Sequence, residues 1–412
     1  MTGALAQLVA YGAQDVYLTG DPQRTFWKEN FSRYRNFATE SIQQDILGTV
    51  ESKGEISFTL KRCGDLVYNI MFGITFKRGP SSVLDTDFPY YSCEQLLDHV
   101  ELYIGGQKVF EFDHDWFRIQ WELFYDYAQE QAYRTMANWA NEPEGYLRTF
   151  YLPIPVWFNS LTPGHAIPLI ALQYHDVQFK IRLANLNDIP GIDTSYIPDI
   201  RVYADYVFLD SPERIWFASN PHEYIVNQIQ TNQFPITIDT EQRDYKFQLT
   251  FNHPSKSIIW ACTPGPQVHG QYTSERGEQD FETLGTIAVA KLSLNGVDRA
   301  SDLRGSYFTR GNPWTTYGGG YLSSGIYTMG FGVNTDLDQP TGTCNFSRID
   351  TALLHLRTKA AVIQNIQPSN TVTITEAMTT VGANVLNTLY VWAPNFNVLR
   401  IMNGMGGMAF AN

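Results

Sequence analysis

The chain has 412 residues, 43% hydrophobic and 17% charged, a balance that excludes global disorder and predicts two or three globular domains. Its formal net charge of −13 opposes direct nucleic-acid binding, which draws on a basic patch and counterion release. Four cysteines, Cys63, Cys93, Cys262 and Cys344, lie far apart without a CxxC pair. They read as buried free thiols in a reducing compartment, which excludes a disulfide framework and a cysteine-based zinc site. Aromatic residues make up 14% of the chain and favour strands and large interfaces.

In chain order, residues 1–24 are rich in small residues and show no clear alternation, so they read as an N-terminal arm. They lack a basic head and a sustained apolar run, and no secretory signal is expected. Lys28, Arg33 and Arg35 follow, interleaved with Phe26, Trp27, Phe31 and Tyr34. This stretch reads as a strand or arm packing on a neighbour rather than a nucleic-acid site. Ile56, Phe58 and Leu60 then alternate with polar residues, the period of a half-buried strand. The longest nearly apolar stretch, Leu66 to Phe76, is well short of the roughly twenty residues that a membrane helix needs, so no membrane insertion is expected.

Val100 to Val109 reads as a hairpin closed by Gly105-Gly106, a pair suited to positive φ. The most site-like cluster, Asp113-His114-Asp115, comes next. Adjacent side chains on an extended segment diverge, so a hydrogen-bonded loop or a helix N-terminus, with Asp115 as its cap, is expected there instead of a metal site. Trp116, Ile119, Leu123 and Tyr127 recur at helical spacing and predict a short helical insertion. Val177, Phe179, Ile181 and Leu183 mark another strand, and Tyr206-Val207-Phe208 a last one before the prolines of Asp210 to Tyr224.

The pattern then starts again. Phe58 matches Phe247 at a displacement of 189, and Gly105-Gly106 matches Asn295-Gly296 at 190. The Val177–Leu183 strand matches Leu354 and Leu356 at 175, and Tyr206-Val207-Phe208 matches Tyr390-Val391-Trp392 at 184. Strands kept in order with insertions confined to loops indicate a duplicated domain. The division is residues 1–24 (arm), 25–212 (first domain) and 213–412 (second domain). Many antiparallel strands without a βαβ rhythm give an all-β fold class: a double jelly roll, two tandem eight-stranded sandwiches with a short helical insertion in loops. The Gly-rich stretch from Thr315 to Asp336 reads as an exposed loop, and Met402, Met405 and Met408 as fillers of packing gaps.

HExxH, GxSxG and GxxxxGK[ST] motifs and metal-spaced Cys/His clusters are absent, so no catalytic, cofactor-binding or metal residue is assigned. Two sequons, at Asn30 and Asn345, are the candidate glycosylation positions, although both fall in segments that read as packed.

Several segments resemble the major capsid proteins of large icosahedral double-stranded DNA viruses, especially viruses of algae. They include Gln7 to Gln44, Ile167 to Ile181, Phe208 to Arg214, Pro221 to Val226, Phe251 to Lys256, Pro340 to Asp350 and Asn395 to Asn412. The resemblance implies a structural protein with no enzymatic activity and no cofactor. It implies a homotrimer of pseudo-hexagonal shape whose partners are neighbouring capsomers and minor capsid proteins. It also implies synthesis and assembly in the host cytoplasm, with room for an internal membrane beneath the shell. The alternatives are a minor capsid or vertex protein of the same lineage, or a tandem jelly-roll glycosidase or carbohydrate-binding protein using Tyr317 and Tyr321.

Overall fold

The computed structural model describes residues 2–27, 29, 31, 33–79, 92–137, 143–159, 164–189, 191–238, 242–263, 286–318, 325–335, 338–359 and 385–410. The chain forms two compact units, Met1–Phe37 and Ala38–Asn412. The first unit carries two short helices, α1 (Gly3–Val9) and α2 (Val16–Thr19), and neither buries a residue. Both sandwiches belong to the second unit.

The first sandwich has eight principal strands. They are β1 (Phe37–Gln44), β2 (Glu55–Thr59), β3 (Leu66–Lys77), β4 (Leu97–Ile104), β5 (Gln107–Asp113), β6 (Leu147–Pro153), β7 (Val177–Leu183) and β8 (Asp199–Leu209). One sheet runs β1-β8-β3-β6 and the other β2-β7-β4-β5. The second sandwich has β9 (His222–Ile238), β10 (Asp244–Leu249), β11 (Ser257–Thr263), β12 (Ile287–Leu294), β13 (Val297–Arg304), β14 (Ile326–Gly330), β15 (Ala352–Thr358) and β16 (Val385–Met402). Its sheets run β9-β16-β11-β14 and β10-β15-β12-β13. Each strand of one sandwich thus has its equivalent eight strands away, in the same place of the corresponding sheet. Chain order that alternates between facing sheets in this way is the jelly-roll path.

Alternation explains the cores. In β2, Ile56 and Phe58 point inward, and Phe58 lies opposite Phe179 of antiparallel β7 with the rings stacked at 4.8 Å. The two hairpins close as their turn residues require. Gly105 and Gly106 have φ of +58° and +82°, and Asn295 and Gly296 have +50° and +80°.

β11 breaks the alternation, because all of Ile258 to Cys262 is buried. Ile258, Trp260 and Cys262 join the core of the second sandwich, whereas Ile259 and Ala261 join that of the first. Antiparallel sheets usually keep one wet face, so a continuous apolar run signals cover on both sides. The sheet β9-β16-β11-β14 is therefore shared by two cores.

Helices contribute more than one short insertion. The predicted helix is two helices, α4 (Asp115–Leu123) and α5 (Tyr127–Ala137), preceded in the chain by α3 (Ser92–Leu96). The break is a reciprocal cap: Asp126 Oδ1 accepts from the Gln129 backbone N–H at 2.7 Å, and Gln129 Oε1 from that of Asp126 at 3.1 Å. Helix α6 (Ser211–Ser219) follows β8, with the Asp210 carboxylate accepting from Ser211 N–H at 2.8 Å.

Five expectations need correction. Asp115 is the first residue of α4; His114 holds the cap position and makes no side-chain cap bond. Tyr206 faces the first core whereas Tyr390 lies on the opposite face of its sheet, so the 184-residue match is out of phase by one residue. The Gly-rich stretch is only partly a surface loop: Tyr317 and all of β14 are buried, while 319–324 and 336–337 lie outside the described residues. Met402 and Met405 are exposed, and only Met408 packs against a core. Of the four cysteines, Cys93 and Cys262 are buried, Cys344 is half-buried and Cys63 is exposed.

Candidate functional site

Asp113, His114 and Asp115 do not converge. Asp113 turns to His99 across the β4–β5 pair, its carboxylate 2.6 Å from Nδ1. His114 and Asp115 are both buried, with Nε2 3.4 Å from the carboxylate. Sequence reasoning missed the cluster that does form. His99, Glu101 and Glu111 each place one ligand atom within 4.8 Å of the others. Cross-strand registry was the available signal, since His99 pairs with Asp113 and Glu101 with Glu111.

This cluster is already neutralised by its own cations. Lys108 Nζ lies 2.5 Å from Glu111 and 3.6 Å from Glu101. Hydrogen bonds to Asp113 and then Glu111 hold the His99 imidazolium, raising its pKa to about 10 against the opposing effect of burial. The hydrogen bond from His99 leads the causes that lower Glu111 to about 2. A metal ion would have to displace both a proton and an ammonium, so the arrangement is an ion network of the β4–β5 hairpin. The buried thiols are inert as well, because burial pushes Cys262 up to about 11 and raises Cys93 strongly.

A cleft of about 740 Å³ opens between the sandwiches, its wall including Trp116, Phe124, Trp157, Ile229 and Pro394. The buried Lys256 ammonium lies 4.9 Å from the centre of the Phe124 ring, and Asp338 accepts from Asn227 Nδ2 at 3.1 Å. Tyr317, a candidate sugar platform, is buried with its ring 5.7 Å from Phe124 and its hydroxyl bonded to Ser257 Oγ at 2.7 Å. Tyr321 lies outside the described residues.

Two surfaces stand out among the described residues. One is internal: Val226, Ile229, Ile259, Ala261, Ile326 and Trp392 of the second sandwich are continuous with the core of the first. The Gln228 side-chain amide donates to the Val109 carbonyl, tying β9 to β5. The C-terminal residues add to this contact, since the Gly406 carbonyl lies 2.8 Å from His175 Nδ1 and Tyr174 N–H donates to the Gly404 carbonyl at 2.9 Å. In the unit Met1–Phe37, Tyr17, Phe26, Trp27, Phe31 and Tyr34 are exposed. Exposed aromatic surface on this scale marks an interaction surface.

Two family descriptions match successive halves of the chain. Residues 25–210 match the major capsid protein N-terminus, and residues 213–407 match the large eukaryotic DNA virus major capsid protein. The chain belongs to the major capsid protein family of large eukaryotic DNA viruses. It is 41% identical to the major capsid protein of Paramecium bursaria Chlorella virus 1 and 32% identical to that of Pyramimonas orientalis virus, in each case over the whole of both chains. Among solved structures, a quasi-atomic model of the PBCV-1 virus capsid matches with a TM-score of 0.83 and 36% identity, over 94% of this chain and all of that one. The Faustovirus major capsid protein, at 10% identity, shares the fold with a TM-score of 0.71 over 95% of this chain and 94% of that one. As a member of this capsid family, the chain is a structural component of a virion shell and not an enzyme.

The candidate glycosylation positions fare differently. Asn30 lies outside the described residues. Asn345 is exposed, but its side-chain oxygen accepts from Ser347 N–H at 3.1 Å and so caps a short 3₁₀ turn. Among the described residues, no helix is long and apolar enough to cross a membrane.

Proposed function

We propose that the chain is the major shell protein of its virion and works as a homotrimer, three chains presenting six sandwiches in a pseudo-hexagonal unit that tiles an icosahedral capsid. The observation that carries this reading is the strand-for-strand equivalence of the two sandwiches, with the second packed on the first inside one chain. Duplication lets a threefold assembly approximate six-sided packing, so each unit meets its neighbours through nearly equivalent edges. On this reading residues 25–212 and 213–412 are the two domains of the repeat, and residues 1–24 are an arm whose apolar side chains bind neighbouring capsomers or minor capsid proteins. Synthesis and assembly in the host cytoplasm, with Asn30 and Asn345 as the candidate glycan positions, complete the proposal. Multi-angle light scattering of the purified full chain at micromolar concentration tests it. Three chain masses are expected, and a stable monomer overturns the reading.

A further inference from the structure

We infer that Asn403 is a site of slow, enzyme-independent deamidation, and that its conversion loosens the C-terminal hairpin from the first sandwich. The chain has two Asn-Gly pairs, Asn295-Gly296 and Asn403-Gly404. Each is the two-residue turn of an antiparallel hairpin. The first joins β12 to β13, where Leu294 pairs with Val297. The second joins β16 to β17 (Met405–Met408), where Met402 pairs with Met405. Their backbones agree, with φ of +50° and +80° in the first turn and +53° and +80° in the second.

The chemistry is internal to the pair. The Gly404 backbone nitrogen gives up its proton to solvent base and bonds to Asn403 Cγ. The Cγ–Nδ2 bond breaks, and that nitrogen leaves as ammonia, taking one proton back from solvent. Water then opens the cyclic imide at either carbonyl, which leaves aspartate or isoaspartate and one new negative charge. Glycine carries no side chain to hinder the attack. Among the described residues the Gly404 N–H makes no hydrogen bond, so none has to be broken first.

The two asparagines differ in their side chains. Asn295 Oδ1 accepts from the Thr351 N–H at 3.0 Å, while its own backbone N–H donates to the Thr351 carbonyl at 2.7 Å. Swinging Cγ towards Gly296 N breaks the first of these bonds. Asn403 is exposed, and among the described residues its side chain has no hydrogen-bond partner. The cost of leaving a positive-φ turn is common to both sites, so the side-chain bond is what separates them.

The consequences differ too. A Cβ on Gly296 would meet nothing within 4 Å, whereas one on Gly404 would lie 2.7 Å from the Tyr174 ring. The Gly404 carbonyl accepts from Tyr174 N–H at 2.9 Å, and Met408 N–H donates to Gln107 Oε1 at 3.4 Å. Isoaspartate routes the main chain through its own side chain and lengthens it by one atom, in the middle of this close fit.

The test holds the full chain in mildly alkaline buffer made with heavy-oxygen water and follows both turns by peptide mass spectrometry. Asn403 is expected to convert at least about fivefold faster than Asn295, with heavy oxygen in the product. The melting temperature should fall in step with conversion at Asn403. Asn403→Gly gives the Gly-Gly turn that already closes β4–β5, has no amide to lose, and should hold its melting temperature over the same incubation. If N403G does not fold, Asn403→Asp replaces it. No conversion at Asn403, or a rate no greater than that of Asn295, overturns the site. An equal fall in wild type and variant, or no fall in a converted wild type, overturns the loosening.

Discussion

Phe58 is a useful place to weigh what single residues contribute. Its ring stacks on Phe179 and meets Phe72 edge-on at 5.8 Å, in a fully buried position. Phe58→Ala removes the centre of that group and should cost about 3–5 kcal/mol, measured as a shift in the urea midpoint. The His99 network makes a different prediction. His99 is raised from an ordinary 6.5 to about 10, so its stabilisation is complete below pH 6.5 and is lost as pH rises through 10. Glu111 is lowered from 4.5 to about 2, so its contribution is complete above pH 4.5 and is lost as pH falls through 2. The pair should give a plateau between pH 4.5 and 6.5. His99→Gln should flatten the decline between pH 6.5 and 10 in denaturation curves, and an unchanged alkaline slope would count against the network.

At the scale of elements, the hairpin glycines separate two costs. Gly106 has positive φ but open space around its α-carbon, so Gly106→Ala meets backbone strain alone, about 1–2 kcal/mol. A Cβ on Gly105 would also lie 2.2 Å from His175 Nδ1, the atom that contacts Gly406. Gly105→Ala should therefore destabilise more than Gly106→Ala in parallel melts; equal effects would contradict the contact.

The same elements explain what the sequence made legible. Strands with one wet face, such as β2 and β7, declare themselves by alternation, and the paired turns fix their equivalents. β11 and β16 are covered on both faces, so their apolar residues carry no phase. The Tyr206–Tyr390 match slipped by one residue there, and a one-residue slip turns every side chain to the opposite face. The break between α4 and α5 was readable in Asp126 and Gln129, three residues apart, but helical spacing across it hid the cap. The cover on β5 was partly readable: consecutive Val109 and Phe110 are apolar and both buried, whereas β13, which opens Val297-Asp298-Arg299, is rich in charge and mostly exposed.

For the whole molecule, sequence repeats and folding units need not coincide. The sheet β9-β16-β11-β14 completes both cores, so removing either sandwich strips cover from the other. Calorimetry of Ala38–Asn412 should give one cooperative transition whose calorimetric and van't Hoff enthalpies agree, and two resolved transitions would refute the coupling. Residues 25–212 expressed alone should aggregate through the uncovered surface of β5 and α4.

The shared sheet also bears on how quickly a shell can be built. On the trimer reading, a ring of six sandwiches has six contacts, and three of them are complete when each chain finishes folding. Those three carry no translational or rotational cost, which for free bodies is about 4–15 kcal/mol per association. Ring formation then needs collisions among three bodies rather than six, so its rate should fall far less steeply on dilution. A covalent tandem thus acts as a concentration reserve, keeping nucleation possible early in infection while capsid protein is still scarce.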